Sequence, residues 1–346
     1  MLQMIINMLG FDQTKDRDKL KNIHSSILSH RNDRINIESS DIHDEIHKNK
    51  NNKNNKNNKN NKNNKKTHQE ISEEYKTIVK QTQPCPNELV NIHDSKIASK
   101  NRYTDIVPKH NTRVILNNSE NDYINANWVS TPYSKSILTQ APIEETIADF
   151  WKMILEQNVN IIVMCTNLEE NGKIKSTHYW DQGIFPTTLS NNSLGQIIVS
   201  EHTPPLHVHN HISNITISTL EIIWKNKKST ISSRIVTHIH FQDWNDFGTP
   251  TSKESIDDLL KIINTLEVQY NNNPFNNPIV YHCSAGIGRS GTLLAIKICN
   301  EYIKHETIPN IAEIVTNIRC CRPLAVQTVD QYAFIYQSIN KFKNKV

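Results

Sequence analysis

The stretch His282-Cys283-Ser284-Ala285-Gly286-Ile287-Gly288-Arg289-Ser290-Gly291 sets a cysteine and an arginine at the two ends of a loop of small residues. Ile279, Val280 and Tyr281 before it read as a buried strand, and Thr292 to Ile303 after it as an amphipathic helix. A strand feeding such a loop and a helix N-terminus makes an anion cradle. Backbone N–H groups converge there, and the helix end carries roughly half a positive charge. That field favours thiolate over thiol and lowers a cysteine pKa from about 8.5 into the range of about 3.5–7.5. A drop of three units corresponds to about 4 kcal/mol. The chemistry on offer is attack by an ionised sulfur on a tetrahedral phosphate held by loop and arginine. The other reading, a buried structural cysteine beside an ordinary strand–helix turn, fits a bare Cys and Arg at this spacing. It does not account for the His, the two glycines, the Ser and both flanking elements together.

HCSAGIGRSG resembles the signature of the protein tyrosine phosphatases: His-Cys, five residues, Arg, then Ser or Thr and Gly. The resemblance implies a phosphocysteine mechanism that needs no metal and no cofactor. It gives Cys283 the role of nucleophile and Arg289 that of phosphate clamp. Ser284, Ala285, Gly286, Ile287 and Gly288 then line the cradle, Ser290 donates a hydrogen bond to the departing thiolate, and His282 tunes Cys283 without acting as a base. HFQDWNDFGTP is similar to the family's mobile acid loop, with Asp246 as general acid and Trp244 as the hinge tryptophan. A phenol has a pKa near about 10, so a proton donor speeds its departure by about a hundredfold or more. Asn245 stands where the family has proline, which frees Trp244 from its pre-proline restriction at a cost of about 0.4–1 kcal/mol in preorganisation. Asp246 as a mere turn residue, and Asp243 as the acid instead, are the alternatives.

Three further segments carry the resemblance. LAVQTVDQY matches the loop that positions the hydrolytic water, giving Gln327 the main role and Gln331 that of helper. KNRYTDIVP is similar to the phosphotyrosine-recognition loop. There Tyr103 forms one wall of a deep slot, stacking on the substrate ring for about 0.5–1.5 kcal/mol beyond area burial, and Asp105 accepts hydrogen bonds from the peptide backbone. In NLEENGKIKSTHYW, Glu170 is expected to pair with Arg289 and Lys175 to approach the acid loop; an ordinary polar hairpin is the competing reading. The substrates implied are phosphotyrosine-containing proteins.

The elements that must position these groups follow from periodicity. NIIVMCTN is a continuous apolar run, as for a central strand buried on both faces. NDYINANWVS and SKSILTQAP read as strand-rich, ITISTLEIIW and RIVTHIHFQDW as antiparallel strands with KNKKSTISS as their hairpin loop. ISEEYKTIVKQ, ETIADFWKMILEQN, SIDDLLKIINTLEVQY, EIVTNIRCCR and QTVDQYAFIYQSINKF have helical spacing. Strands and helices mix throughout, which predicts a single α/β domain over 68–346. The fold implied by the resemblance is a highly twisted mixed sheet flanked by helices.

Residues 1–67 are expected to form an N-terminal extension with a helical piece near Leu20–Leu28. Lys48 to Lys66 is almost wholly Asn and Lys, with eight lysines and no acid or apolar residue, so disorder is expected there. The chain's formal charge of +4 is smaller than this tract's contribution, so the remainder is net acidic and a nucleic-acid partner is not expected. The lysines are diluted by asparagine rather than clustered. Six cysteines (85, 165, 283, 299, 320 and 321) show no disulfide framework. A nucleophilic thiolate requires a reducing compartment, and no stretch reaches the length of a membrane span, so a cytoplasmic protein is expected, with nuclear access left open. LHVHNH sets His207, His209 and His211 on one face if extended; a metal site is the minor reading and an exposed loop or edge the preferred one. Two other functions compete with phosphotyrosine hydrolysis. A silent phosphotyrosine-binding module would need a lost Cys, Arg or acid. A phosphoinositide phosphatase would carry lysines inside the loop, where 284–288 have none.

Overall fold

The computed structural model describes residues 66–339, except 93, 118–120, 181–182, 190–192, 210–212, 226–230, 245–247, 251 and 271–272. The N-terminal extension up to 65, with most of its Asn/Lys tract and the helical piece expected near Leu20–Leu28, lies outside the described residues.

Two short runs, apolar but for the terminal His282, set the centre of the sheet. β4 (Ile161–Met164) and β11 (Ile279–His282) are buried at every residue, as strands covered on both faces must be. They run parallel to each other and to β3 (Lys135–Thr139) and β10 (Ile231–Phe241), giving the order β3-β11-β4-β10. Antiparallel wings extend this core. β1 (Arg113–Ile115) and β2 (Tyr123–Ser130) continue it beyond β3, while β9 (Asn214–Lys225), β8 (Ser193–His209) and β7 (Gly183–Leu189) continue it beyond β10. Among the described residues the result is one twisted, mixed, nine-stranded sheet, plus a small hairpin of β5 (Glu169–Glu170) and β6 (Lys173–Ile174).

Side chains alternate between two cores, as strand pleat requires. Ile161, Val163 and Cys165 face one side with Tyr281 and Cys283; Ile162, Met164 and Val280 face the other. The second side is covered by α3 (Ile147–Glu156), which buries Phe150, Trp151, Met153 and Ile154. The first is covered by α4 (Lys253–Gln269), α5 (Arg289–Lys304), α6 (Ile311–Cys321), α7 (Val329–Ile339) and α1 (His68–Gln81). Each fully buried Leu, Ile or Phe contributes about 1.5–3 kcal/mol to holding these layers together. α1 starts at a capping box, Thr67 with Glu70, and its Tyr75 hydroxyl donates to Val326 O at 2.7 Å. No helix among the described residues is long and apolar enough to cross a membrane.

Three elements depart from the sequence reading. β7 and β8, and the one-turn α2 (Ser95–Ala98), were not anticipated. LHVHNH begins as an edge, one of the two forms expected of it, rather than as a loop: Leu206, His207, Val208 and His209 continue β8 along β9, beyond the reach of β7. Pro204 and Pro205 fall where the register slips, on the flank that has no ladder partner, which is where prolines are tolerated in a sheet. His207 Nδ1 lies 3.1 Å from Thr216 Oγ1 across that pair, and His211 lies outside the described residues.

Buried charge on α5 is paired. Lys297 reaches Glu267 and Glu301 at 3.0 Å each, joining α4 to α5; burial opposes its charge, but the two carboxylates outweigh burial and hold its pKa above the ordinary lysine value. Lys297→Met is expected to leave two facing carboxylates and cost about 2–3 kcal/mol, the lower part of the range for broken buried pairs because Glu267 is partly exposed. The shift of the urea midpoint at constant m measures it; a loss under about 0.5 kcal/mol would show that solvent screens the triad.

Three core histidines are neutral. His282 is pushed down to about 3, first by burial and then by neighbouring His240 and Arg102; burial likewise holds His238 far below, and His240 below, the ordinary value. The unfolded chain takes up a proton at each site below about pH 6.5, whereas native His282 does so only near about 3. Stability is therefore complete above about pH 6.5 and lost as the pH falls toward about 3, at up to about 1.4 kcal/mol per unit for each histidine. Urea unfolding at about pH 7.5 and about pH 5.5 is expected to differ by about 2–4 kcal/mol. Equal stabilities would contradict neutral burial.

Candidate active site

All four parallel strands deliver their C-terminal ends to one edge, the place where open α/β sheets bind ligands. β11 ends at Cys283, which is 3% exposed, and the chain turns at once into α5. α1, α4 and α6 begin on the capping side chains of Thr67, Ser252 and Asn310, but the N-cap of α5 is Gly288, which has none. The first N–H groups of α5 are thus left for whatever occupies the loop. Cys283 Sγ lies 3.4 Å from Ser290 Oγ, and the backbone N–H groups of Ser290 and Ile287 also donate to it. Burial alone would push this thiol up. Arg289 and these donors outweigh burial and hold its pKa below the ordinary thiol value. Buried Cys165, whose N–H donates to His282 O one strand away, is driven strongly up by the same burial without that compensation.

The loop can take its shape only with glycine at one position. Gly286 has φ +70°, and a Cβ there would lie 2.1 Å from Thr139 O of β3. At Gly288 a Cβ would come within 2.9 Å of Gln327 Oε1, so this glycine brings the late loop against the cradle. Gln327 is exposed at the cavity mouth, and its N–H donates to Gln331 Oε1 at 2.9 Å. It follows Val326, a β-branched residue at φ +54°, a conformation that persists only where the surroundings impose it. Here Val326 N–H donates to Ile287 O at 3.0 Å, and Val326 O accepts from Tyr75 and from Arg319.

Arg289 is 2% exposed. It forms a two-pronged pair with Glu170 at 2.6 and 3.2 Å and donates to Trp244 O at 2.9 Å. Glu170 also accepts from Thr166 Oγ1 and Asn167 N–H. It sits on the β5–β6 hairpin, whose turn residues Asn171 and Gly172 both have positive φ, as the tightest hairpins require. The polar-hairpin reading and the Glu170–Arg289 pairing are therefore both realised. Trp244 is buried, donates from Nε1 to Gly248 O at 2.9 Å and bridges to Pro250, which fastens both ends of its loop. Asn245 and Asp246 lie outside the described residues. Asp243 accepts from Asn214 N–H of β9 and is not part of the cavity lining.

The cavity, about 400 Å³, has Cys283 and Arg289 at its base. Tyr103 forms a wall, its hydroxyl 2.9 Å from Ser284 Oγ, which donates onward to Lys175 O at 2.8 Å. Asp105 and Lys175 line the cavity with Lys173 and Ile174, two residues not singled out from the sequence. His282 lies beneath. Its Nδ1–H donates to Cys283 O at 3.1 Å, which leaves Nε2 to accept from Tyr179 at 2.6 Å; Tyr179 accepts in turn from His238 Nε2–H at 2.9 Å. Tyr179, His238 and Arg322, the last donating to the carbonyls of Ala285 and Gly286, escaped the sequence reading. Only the aromatic pair Tyr179-Trp180 hinted at burial there. Among the described residues no cluster of His, Cys, Asp or Glu could hold a metal ion, and all six cysteines are free.

Comparison with known proteins agrees with this geometry. The model of the family "Protein-tyrosine phosphatase" matches residues 97–341. Tyrosine-protein phosphatase 3 of Dictyostelium discoideum is 36% identical over 258 residues, 70% of this chain and 24% of that protein. Human tyrosine-protein phosphatase non-receptor type 9 is 34% identical over 298 residues, 80% of this chain and 47% of that protein. The chain thus spans less than half the length of these relatives. The crystal structure of the catalytic domain of human protein tyrosine phosphatase non-receptor type 18 superposes with a TM-score of 0.67 at 27% identity, covering 79% of this chain and 95% of that one. The same enzyme, in complex with HER2 phosphopeptides, matches as well, with a TM-score of 0.67 at 27% identity over 80% of this chain and 93% of that one. A thiol-bearing cradle on this mixed sheet, matched across most of the chain in sequence and in fold, places the protein in the protein-tyrosine phosphatase family.

Proposed function

We propose that the chain hydrolyses phosphotyrosine in proteins through a phosphocysteine intermediate. The observation that carries this is the low-pKa Cys283 at the uncapped end of α5, facing Arg289 at the base of a cavity walled by Tyr103. The phosphate oxygens take the loop N–H groups and the Arg289 guanidinium. Cys283 attacks phosphorus in line, and the P–O bond to the phenol breaks as Asp246 gives the leaving oxygen its proton. Gln327, with Gln331 holding its backbone, orients the water that then cleaves the P–S bond, and Ser290 donates to the departing thiolate. His282 keeps the Cys283 carbonyl oriented. The depth of the slot suits a phosphorylated phenol and leaves phosphoserine short of the sulfur. On this reading 68–346 is the catalytic domain, 1–67 an appended extension, and the reduced cysteines suit a cytoplasmic setting.

Assays on phosphotyrosine, phosphoserine and inositide substrates test the class. Hydrolysis confined to phosphotyrosine peptides is expected, and a preference for inositides would overturn the reading. Cys283→Ser is expected to abolish turnover and keep phosphopeptide binding, whereas Arg289→Ala loses affinity as well, because its contact is made in ground and transition states alike. Turnover persisting in Cys283→Ser would sink the phosphocysteine route.

Asp246→Ala is expected to lower kcat by about two orders of magnitude or more, and Asn245→Pro to change it modestly upward by removing loop conformers. Pre-steady-state kinetics on both variants separate chemistry from loop closure. Near-parental activity in Asp246→Ala would transfer the acid to another residue.

A further inference from the structure

Arg322, at the C-terminal end of α6, has no solvent exposure. Its guanidinium makes four hydrogen bonds, to Gly286 O at 3.2 Å, Ala285 O at 3.0 Å, Asn125 Oδ1 at 2.7 Å and Asn127 Oδ1 at 3.0 Å. Every acceptor is neutral. Among the described residues no carboxylate pairs with Arg322, in contrast to Arg289, which has one, and Lys297, which has two. A buried cation without a counter-charge is costly, so its field favours an anion on a neighbouring group able to ionise.

The backbone shows which group that is. The carbonyl of Gly286 and the N–H of Ile287 belong to one planar trans peptide and point in opposite directions. Arg322 grips the carbonyl from behind, and the N–H donates to Cys283 Sγ in front. The same holds one peptide earlier, where the fixed Ala285 carbonyl turns the Gly286 N–H toward the cradle. We propose that Arg322 is a positioning residue for the phosphocysteine reaction, its unpaired buried charge and its grip on the Ala285 and Gly286 carbonyls together stabilising the Cys283 thiolate. This rests on the reading of Cys283 as nucleophile.

The ionisable groups around the pair are few. Tyr123 faces Arg322 from β2 and stays neutral, pushed up to about 12 first by burial. Burial lowers Arg322 to about 10, opposed by Tyr123 and Cys283, so it remains a cation at neutral pH. Cys283 faces Arg289, neutral His282, Cys165 and, through Arg289, Glu170. The two arginines lie on opposite sides of the loop: Arg289 is committed to Glu170 and lines the cavity, while Arg322 works from behind it.

The test is the pH dependence of Cys283 alkylation by iodoacetamide in the full chain, followed by mass spectrometry of the peptide that carries it. This reads thiolate content without any substrate. Arg322→Met is expected to raise the inflection by about one unit and slow alkylation at about pH 6 by about tenfold, and Arg322→Lys to raise it less. The decisive variant is Asn127→Asp, which keeps an oxygen acceptor for Arg322 and supplies the missing carboxylate. A purely structural role for Arg322 predicts an unchanged inflection in Asn127→Asp. The proposal predicts an upward shift like that of Arg322→Met, with the fold retained by circular dichroism and thermal melting. An unshifted inflection in folded Asn127→Asp overturns it, and this variant decides the matter if Arg322→Met does not fold. An ordinary thiol inflection in the parent chain would instead overturn the nucleophile reading itself.

Discussion

The first turn of α5 has N–H groups and no side chain to satisfy them, and the rest of the active edge is arranged around that deficit. A helix start of this kind favours an anion beside it. β11 brings the sulfur of Cys283, and the cavity leaves room for a phosphate beside it. Glycine at 286 and 288 follows from the same demand, because a side chain at either would strike β3 or Gln327. Cys165 shows the opposite case: a thiol at the adjoining strand end, equally buried but without those donors, stays protonated.

Arg289 connects this centre to pieces that arrive from far apart in the chain. Through Glu170 it fixes the β5–β6 hairpin, and through Trp244 O it holds one end of the 244–250 loop. Trp244 is fastened in turn by Gly248, whose carbonyl also accepts from Gln331. The β5–β6 hairpin, the segment after Trp244 and the start of α7 therefore share anchors, and a change at one is felt at the others. Such sharing is how a buried ion pair with good geometry pays for its desolvation.

Much of this was legible in the sequence, for identifiable reasons. The cradle could be read because its chemistry is local: cysteine, glycines and arginine follow one another within a single turn of chain. β4 and β11 could be read because a strand buried on both faces has no polar residue. β8 could not, since half of it pairs on one flank only and therefore carries prolines and exposed Leu206. Glu170, Tyr103 and Gln327 were found only through family resemblance, because nothing in their own neighbourhoods marks them. Arg322 and the Tyr179–His238 relay escaped altogether. Their significance lies in contacts with residues far away in sequence, and a buried arginine looks, in the string, like an exposed one.

The family model begins at residue 97, yet the packing does not begin there. The Tyr75 hydroxyl of α1 is one of the groups that keep Val326 in its left-handed conformation, one residue before Gln327. Tyr332 and Tyr336 of α7 reach back to Glu74 of the same helix. A chain trimmed to 97–341 would keep the complete sheet, but would release a strained peptide next to Gln327. The span of the family model thus understates the mechanical unit, which takes in α1 and Lys66, whose ammonium pairs with Glu74 and reaches Tyr336.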